Sequence, residues 1–142
     1  MRDEIMRKFL ILTAICGAMT GPVSAQNFTT AAEIRPILNA TQGNWVAVRE
    51  FDGQDLLYFT HLLAWRCGLE AIYFRINGGD ERKFDAEPCY EDEATPNALK
   101  VTDMFPYQRL DLQSVETVEI RLVYDDGDEA LASFERAQIQ IQ

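Results

Sequence analysis

VETVEIRLVY, residues 115–124, carries the clearest periodicity in the chain. Val118, Ile120, Leu122 and Tyr124 fall on one parity, and Thr117, Glu119 and Arg121 on the other. Side chains of a strand alternate between its faces, so the stretch predicts a strand with one buried and one wet face. The acidic turn at 125–128 separates it from a returning strand over 129–142. There the apolar parity changes from Ala130, Ala132 and Phe134 to Ala137, Ile139 and Ile141. A one-residue phase change predicts a β-bulge near Glu135 and Arg136.

Towards the N-terminus, LEAIYFRI (69–76), NGGD (77–80) and residues 81–84 read as a hairpin, with Ile72, Phe74 and Ile76 on one face. WVAVREF (45–51), Asp52-Gly53 and LLYFTHLLAW (56–65) read as another. Its second strand is apolar on both parities, which predicts a central strand covered on both sides. Residues 98–102 suit a short strand, and Pro106 suits an edge or a bend. Further upstream, Thr30 and Glu33 have capping-box spacing before Ile34, Ile37 and Leu38, predicting a short helix limited by Pro36. About seven short strands with closely spaced turns give an all-β class, an antiparallel β-sandwich or small barrel with one N-terminal helix, in a single domain over 26–142.

Residues 1–25 read as a secretory signal. Arg7 and Lys8 precede the apolar run FLILTAICGAM (9–19), and Val23-Ser24-Ala25 suits cleavage after Ala25. Met6 is an alternative start that gives a cleaner basic region. The run falls short of the roughly 20 apolar residues a membrane anchor needs. Ile15 before Cys16 disfavours lipidation there. The expected location is periplasmic or secreted, without stable membrane insertion after signal cleavage.

Of three cysteines, Cys67 and Cys89 follow the leader, and an oxidising compartment predicts that they pair. Their bridge would pin the acidic, proline-containing stretch 85–97 and contribute about 3 kcal/mol through loop entropy. The Cys67–Cys89 spacing, the hairpin order and the Asn77-Gly78-Gly79 turn make residues 69–142 similar to immunoglobulin-like exported domains. The tryptophan that true immunoglobulin domains bury between two cysteines is missing. The resemblance therefore implies an architecture and names no partner.

Thirteen Lys and Arg against 23 Asp and Glu give a net charge of −10. Loss of Arg2, Arg7, Lys8, Asp3 and Glu4 with the leader leaves 10 against 21, or −11. Such a chain repels phosphate backbones, so no nucleic-acid partner is expected. His61 is the only histidine, and its expected role is structural. Ser114 and Ser133 lie outside any Gly-x-Ser-x-Gly motif. The acidic runs 91–93 and 125–129 lack the EF-hand pattern, and no metal, haem or other cofactor is expected.

Aromatic residues are the informative remainder. Trp45, Phe51, Tyr58, Phe59, Trp65, Tyr73 and Phe74 crowd the first three predicted strands, more than one sheet face requires. A subset exposed beside Arg49, Arg66 or Arg75 would form a recognition face, because aromatics and arginine dominate interface hot spots. Phe105 and Tyr107, in the 104–107 stretch, make a second contact candidate. The candidate binding residues are thus Trp45, Arg49, Trp65, Arg66, Tyr73, Arg75, Phe105 and Tyr107. With no catalytic constellation, the expectation is a non-enzymatic binding or accessory protein with a protein partner in the periplasm or outside the cell. A small-ligand or carbohydrate binder is the alternative, and a hydrolase the least favoured.

Overall fold

The computed structural model describes Gly21 and residues 26–142. Apart from Gly21, the expected leader lies outside the described residues. The described chain is mostly β, in two four-stranded sheets with few helices. One sheet has the order β5-β2-β1-β8, where β1 is Ala47–Phe51, β2 Gln54–Tyr58, β5 Tyr107–Asp111 and β8 Gln140–Ile141. The other has the order β4-β3-β6-β7, with β3 Leu69–Ile76, β4 Arg82–Lys83, β6 Thr117–Tyr124 and β7 Glu129–Glu135. All pairings are antiparallel except β1 with β8, so the first sheet is mixed where an antiparallel one was expected. Val48 and Leu57 of the first sheet share one buried cluster with Ile72, Phe74, Val118, Ile120, Leu122 and Phe134 of the second.

The periodic stretch behaves as its sequence predicts. Val118, Ile120, Leu122 and Tyr124 are buried along β6, and Ala130, Ala132 and Phe134 face the same way on β7. The β1–β2 turn is a two-residue connection in which Asp52 and Gly53 both have positive φ, at 50° and 74°. That geometry suits the right-handed twist of the paired strands.

Helix α1, Ala31–Ala40, buries Ala31, Ile34 and Leu38 against this core. The Glu33 carboxylate accepts the Thr29 and Thr30 amides and the Thr30 hydroxyl. Pro36 lies on the exposed face of the helix, as does Ala32, whose carbonyl it leaves without an amide donor. The helix is clamped to the 125–128 turn: Asp125 accepts the Ala31 amide, and Arg35 pairs with Asp126 and Asp128. Gly68 allows this close approach, since a Cβ there would lie 2.8 Å from the Thr30 carbonyl and 2.7 Å from Ile34 Cδ1.

Three expected strands are corrected. The stretch 56–65 remains strand only to Tyr58; Thr60–Leu63 form helix α2. The second half of the stretch is a helical turn that buries Leu62 and Leu63 together, whereas β2 itself is the expected central strand, set between β5 and β1 with Leu56 and Leu57 buried on opposite faces. Residues 98–102 form no strand because their backbone is bonded to side chains. Arg66 takes the Ala98 carbonyl, and Glu87 takes the Lys100 and Val101 amides.

The phase change after Phe134 is not a bulge. Arg136–Ile139 form helix α3, and the chain leaves the second sheet to add β8 to the first. Ile139 is buried, while Ala137 and Ile141, expected on the same buried parity, are exposed. Arg136 drives the departure: its guanidinium reaches the fully buried Asp55 carboxylate at 2.7 and 3.1 Å. Asp55 also accepts the Gln113 and Val115 amides, so each oxygen of this buried carboxylate takes two hydrogen bonds. Arg136, chiefly, holds the Asp55 carboxyl below its ordinary range despite burial.

Candidate functional site

Alternate residues of β1, β2 and β5 point away from the core. Strand register places Arg49 opposite Leu56 and Leu56 opposite Arg109. The next row is Ala47, Tyr58 and Tyr107, and β8 sets Ile141 beside Arg49. Opposed residues share a sheet face, so two guanidinium groups stand on one face across a buried Leu56. Phe51, Phe105 and Ile141 remain 54%, 57% and 48% exposed on or beside it. Phe105 stacks on Tyr107 at 5.5 Å between ring centroids, and Tyr107 meets Tyr58 edge-on at 5.3 Å.

The arginines lie over these rings. Arg49 is 5.1 Å from the Phe51 centroid, and Arg109 is 5.8 and 5.7 Å from those of Phe105 and Tyr107. Among the described residues, neither Arg49 nor Arg109 forms an ion pair, whereas Arg35, Arg75, Arg121 and Arg136 do. The Tyr107 hydroxyl beside Arg109 raises the guanidinium pKa above its ordinary value, and the more distant Asp52 adds to this. This face therefore offers positive charge set among aromatic rings, in a chain of net −10. A cavity of about 690 Å³ adjoins it, lined by Trp45, Arg49, Tyr58, His61, Ala64 and Ile141 among others.

Of the residues nominated from sequence, Arg49, Phe105 and Tyr107 come together here. Tyr73 and Arg75 lie on β3 in the other sheet. There Arg121 covers the Tyr73 ring at 4.2 Å and is held by Glu81 and Glu129, and Arg75 faces Glu119 at 3.6 Å. Trp45 is fully buried and donates its indole N–H to the Leu38 carbonyl at 2.9 Å, so it presents no exposed ring. Trp65 is half-buried, edge-on to Phe28 at 5.1 Å.

Arg66 departs most from a surface role. It is 4% exposed, and its guanidinium donates to the carbonyls of Leu63, Glu87, Pro88, Asn97 and Ala98 at 2.7–3.0 Å. With the Cys67–Cys89 disulfide it organises the 85–101 loop. Burial pushes the Glu87 carboxyl up. The Tyr90 hydroxyl, the Lys100 and Val101 amides and the Arg66 charge outweigh that and hold it below its ordinary value.

His61 sits in α2 with Nε2 2.8 Å from the Thr41 hydroxyl oxygen. The Thr41 hydroxyl donates to the Ile37 carbonyl, so Nε2 carries the proton in this contact. Burial lowers its pKa. Among the described residues, no cluster of three or more His, Cys, Asp or Glu side chains could hold a metal ion, and no helix is long and apolar enough to cross a membrane.

Sequence reasoning missed Arg109. Its signal was parity, since it lies two residues after Tyr107 and therefore shares that residue's face. Comparison with protein-family models, curated proteins and solved structures gives no match.

Proposed function

We propose that this chain is a non-enzymatic binding or accessory protein of the periplasm or cell exterior, and that it recognises a protein partner through the outer face of β5-β2-β1-β8. The observation that carries the reading is the pair Arg49 and Arg109, free of ion pairs among the described residues and flanked by Phe51, Phe105 and Tyr107. Arginine and aromatic side chains contribute most of the binding energy at many interfaces. We read the two sheets as halves of an immunoglobulin-like β-sandwich, exported after loss of residues 1–25. The disulfide and the lack of a membrane-crossing helix among the described residues are compatible with that location.

Photo-crosslinking in cells tests the reading. A benzoylphenylalanine at Phe51 or Tyr107 is expected to yield one discrete adduct with another protein, and one at Tyr73 none. Adducts from Tyr73 alone, or from no position, would count against it.

A small-ligand reading is favoured by one observation, the 690 Å³ cavity beside Arg49, whose size suits a compact ligand. A ligand there should shift the amide resonances of Arg49, Tyr58 and Ala64 in the labelled protein. A flat response across a metabolite and glycan panel would exclude it.

A further inference from the structure

The two long free edges of the sheets differ in charge. Strand β5 ends the first sheet and β7 ends the second. Phe59 lies opposite Pro106 in the continued β2–β5 register, and its amide donates to the Pro106 carbonyl at 2.8 Å. Antiparallel pairs alternate between hydrogen-bonded and non-hydrogen-bonded. Gln108 and Leu110 therefore bond to β2, while Tyr107, Arg109 and Asp111 turn their amides and carbonyls towards the open edge. The Asp111 carbonyl is taken by the Ser114 amide. The same three residues send their side chains to the outer face described above. The β7 edge instead carries Glu129, Leu131, Ser133 and Glu135.

We infer that an extended segment of the protein partner adds to β5 as a fifth strand, with an acidic side chain of that segment set beside Arg109 and Tyr107. This rests on the proposed partner-binding face and specifies how it is used. Strand addition satisfies the outward backbone groups of Tyr107 and Arg109, and alternate side chains confer selectivity. The added strand would lie about 4.8 Å beyond β5, placing its face-side residues against Arg109 and the Phe105–Tyr107 stack. Asp111 marks the end that repels acid, so the acidic residue sits towards Tyr107. Pro106 lies before β5 and not within it, and the inward-facing Gln108 and Leu110 carry no charge, so two of the devices against edge pairing are missing from the strand itself.

The test uses the isotopically labelled full chain, produced by export so that the Cys67–Cys89 disulfide is intact, and two blocked peptides, acetyl-Val-Glu-Val-Thr-Val-amide and its Glu-to-Lys counterpart. The Glu peptide is expected to shift the Tyr107 and Arg109 amides, slow their hydrogen exchange and bind at least about tenfold more tightly than the Lys peptide. N-methylation of alternate peptide residues on the bonding edge should abolish the effect. Arg109→Gln should remove the preference for Glu while leaving the amide shifts. Arg109→Pro removes the outward amide as well as the guanidinium, whose loss alone Arg109→Gln reports, and should abolish the amide shifts that Arg109→Gln retains; the methylated peptide makes the same test if this variant does not fold.

No response, or equal binding of both peptides, overturns the inference. Shifts on Phe51 and Tyr58 without change at the β5 amides would leave the partner-binding face standing and remove strand addition. Protection of β5 and β7 amides together, rising with protein concentration and without peptide, would make the occupant a second copy and overturn the inference as well.

Discussion

Replacing Arg66 tests whether one buried side chain organises the disulfide loop. Its guanidinium donates to five carbonyls, four of them between Glu87 and Ala98. A hydrogen bond from a charged donor contributes about 1.5–3 kcal/mol, but bonds to one group are not additive. Pro88 is exposed and Asn97 and Ala98 are half-buried, so water can recover part of the loss there; the buried Glu87 cannot regain it as readily. Arg66→Ala is therefore expected to cost about 3–5 kcal/mol, the range for breaking a buried charged cluster. Lysine has three donors and no planar fork, so Arg66→Lys should lose about half of that. Urea denaturation of the oxidised protein, followed by tryptophan fluorescence, should show the alanine variant unfolding about 2 M earlier. Hydrogen exchange should open first at the Lys100 and Val101 amides, which Glu87 holds. A loss below about 1 kcal/mol with unchanged protection would refute the reasoning. It also follows that charge reversal at Arg66 would report unfolding and not partner recognition.

Acid should destabilise the protein in two stages. His61 is a base whose pKa burial lowers, so its contribution is present above about pH 6.5, its ordinary value, and is lost as pH falls below that. Asp55 and Glu87 are acids held below their ordinary values; their contribution is full above those values and is lost as pH falls through the folded-state ones. Thermal melts from pH 8 to pH 3 should show both stages, and His61→Gln should remove only the first. Tyr124→Phe should stabilise by about 1 kcal/mol, because the Tyr124 hydroxyl is buried without a hydrogen-bond partner among the described residues. Destabilisation of similar size in chemical denaturation would contradict that. Gly68→Ala should cost about 1–3 kcal/mol, since its methyl meets the Thr30 carbonyl and Ile34; unchanged stability would mean that α1 shifts without penalty.

Legibility followed the range of the interactions. The β6 alternation, the Asp52-Gly53 turn, the Thr30–Glu33 spacing and the cysteine pair depend on near neighbours or on a single chemical choice, and all four could be read directly. The 56–65 stretch could not, because alternating apolar residues suit a strand covered on both faces as well as a strand followed by a helical turn. The 98–102 stretch reads as a strand by composition, but its backbone partners, Arg66 and Glu87, are distant in sequence. Trp45 and Arg66 were nominated by residue type, which indicates what a side chain can do but not whether it is exposed.

An acidic, mostly β chain with a short N-terminal helix and one disulfide is legible in the order of residues, because periodicity, turn chemistry and charge are local or additive properties. Long-range pairing is what takes β8 across to the first sheet, puts Arg66 inside and sets Arg49 and Arg109 on one face. Those outcomes depend on which distant residues pair. The Asp55–Arg136 contact, 81 positions apart, shows why: a buried carboxylate must find its cation, and that requirement redirects the chain.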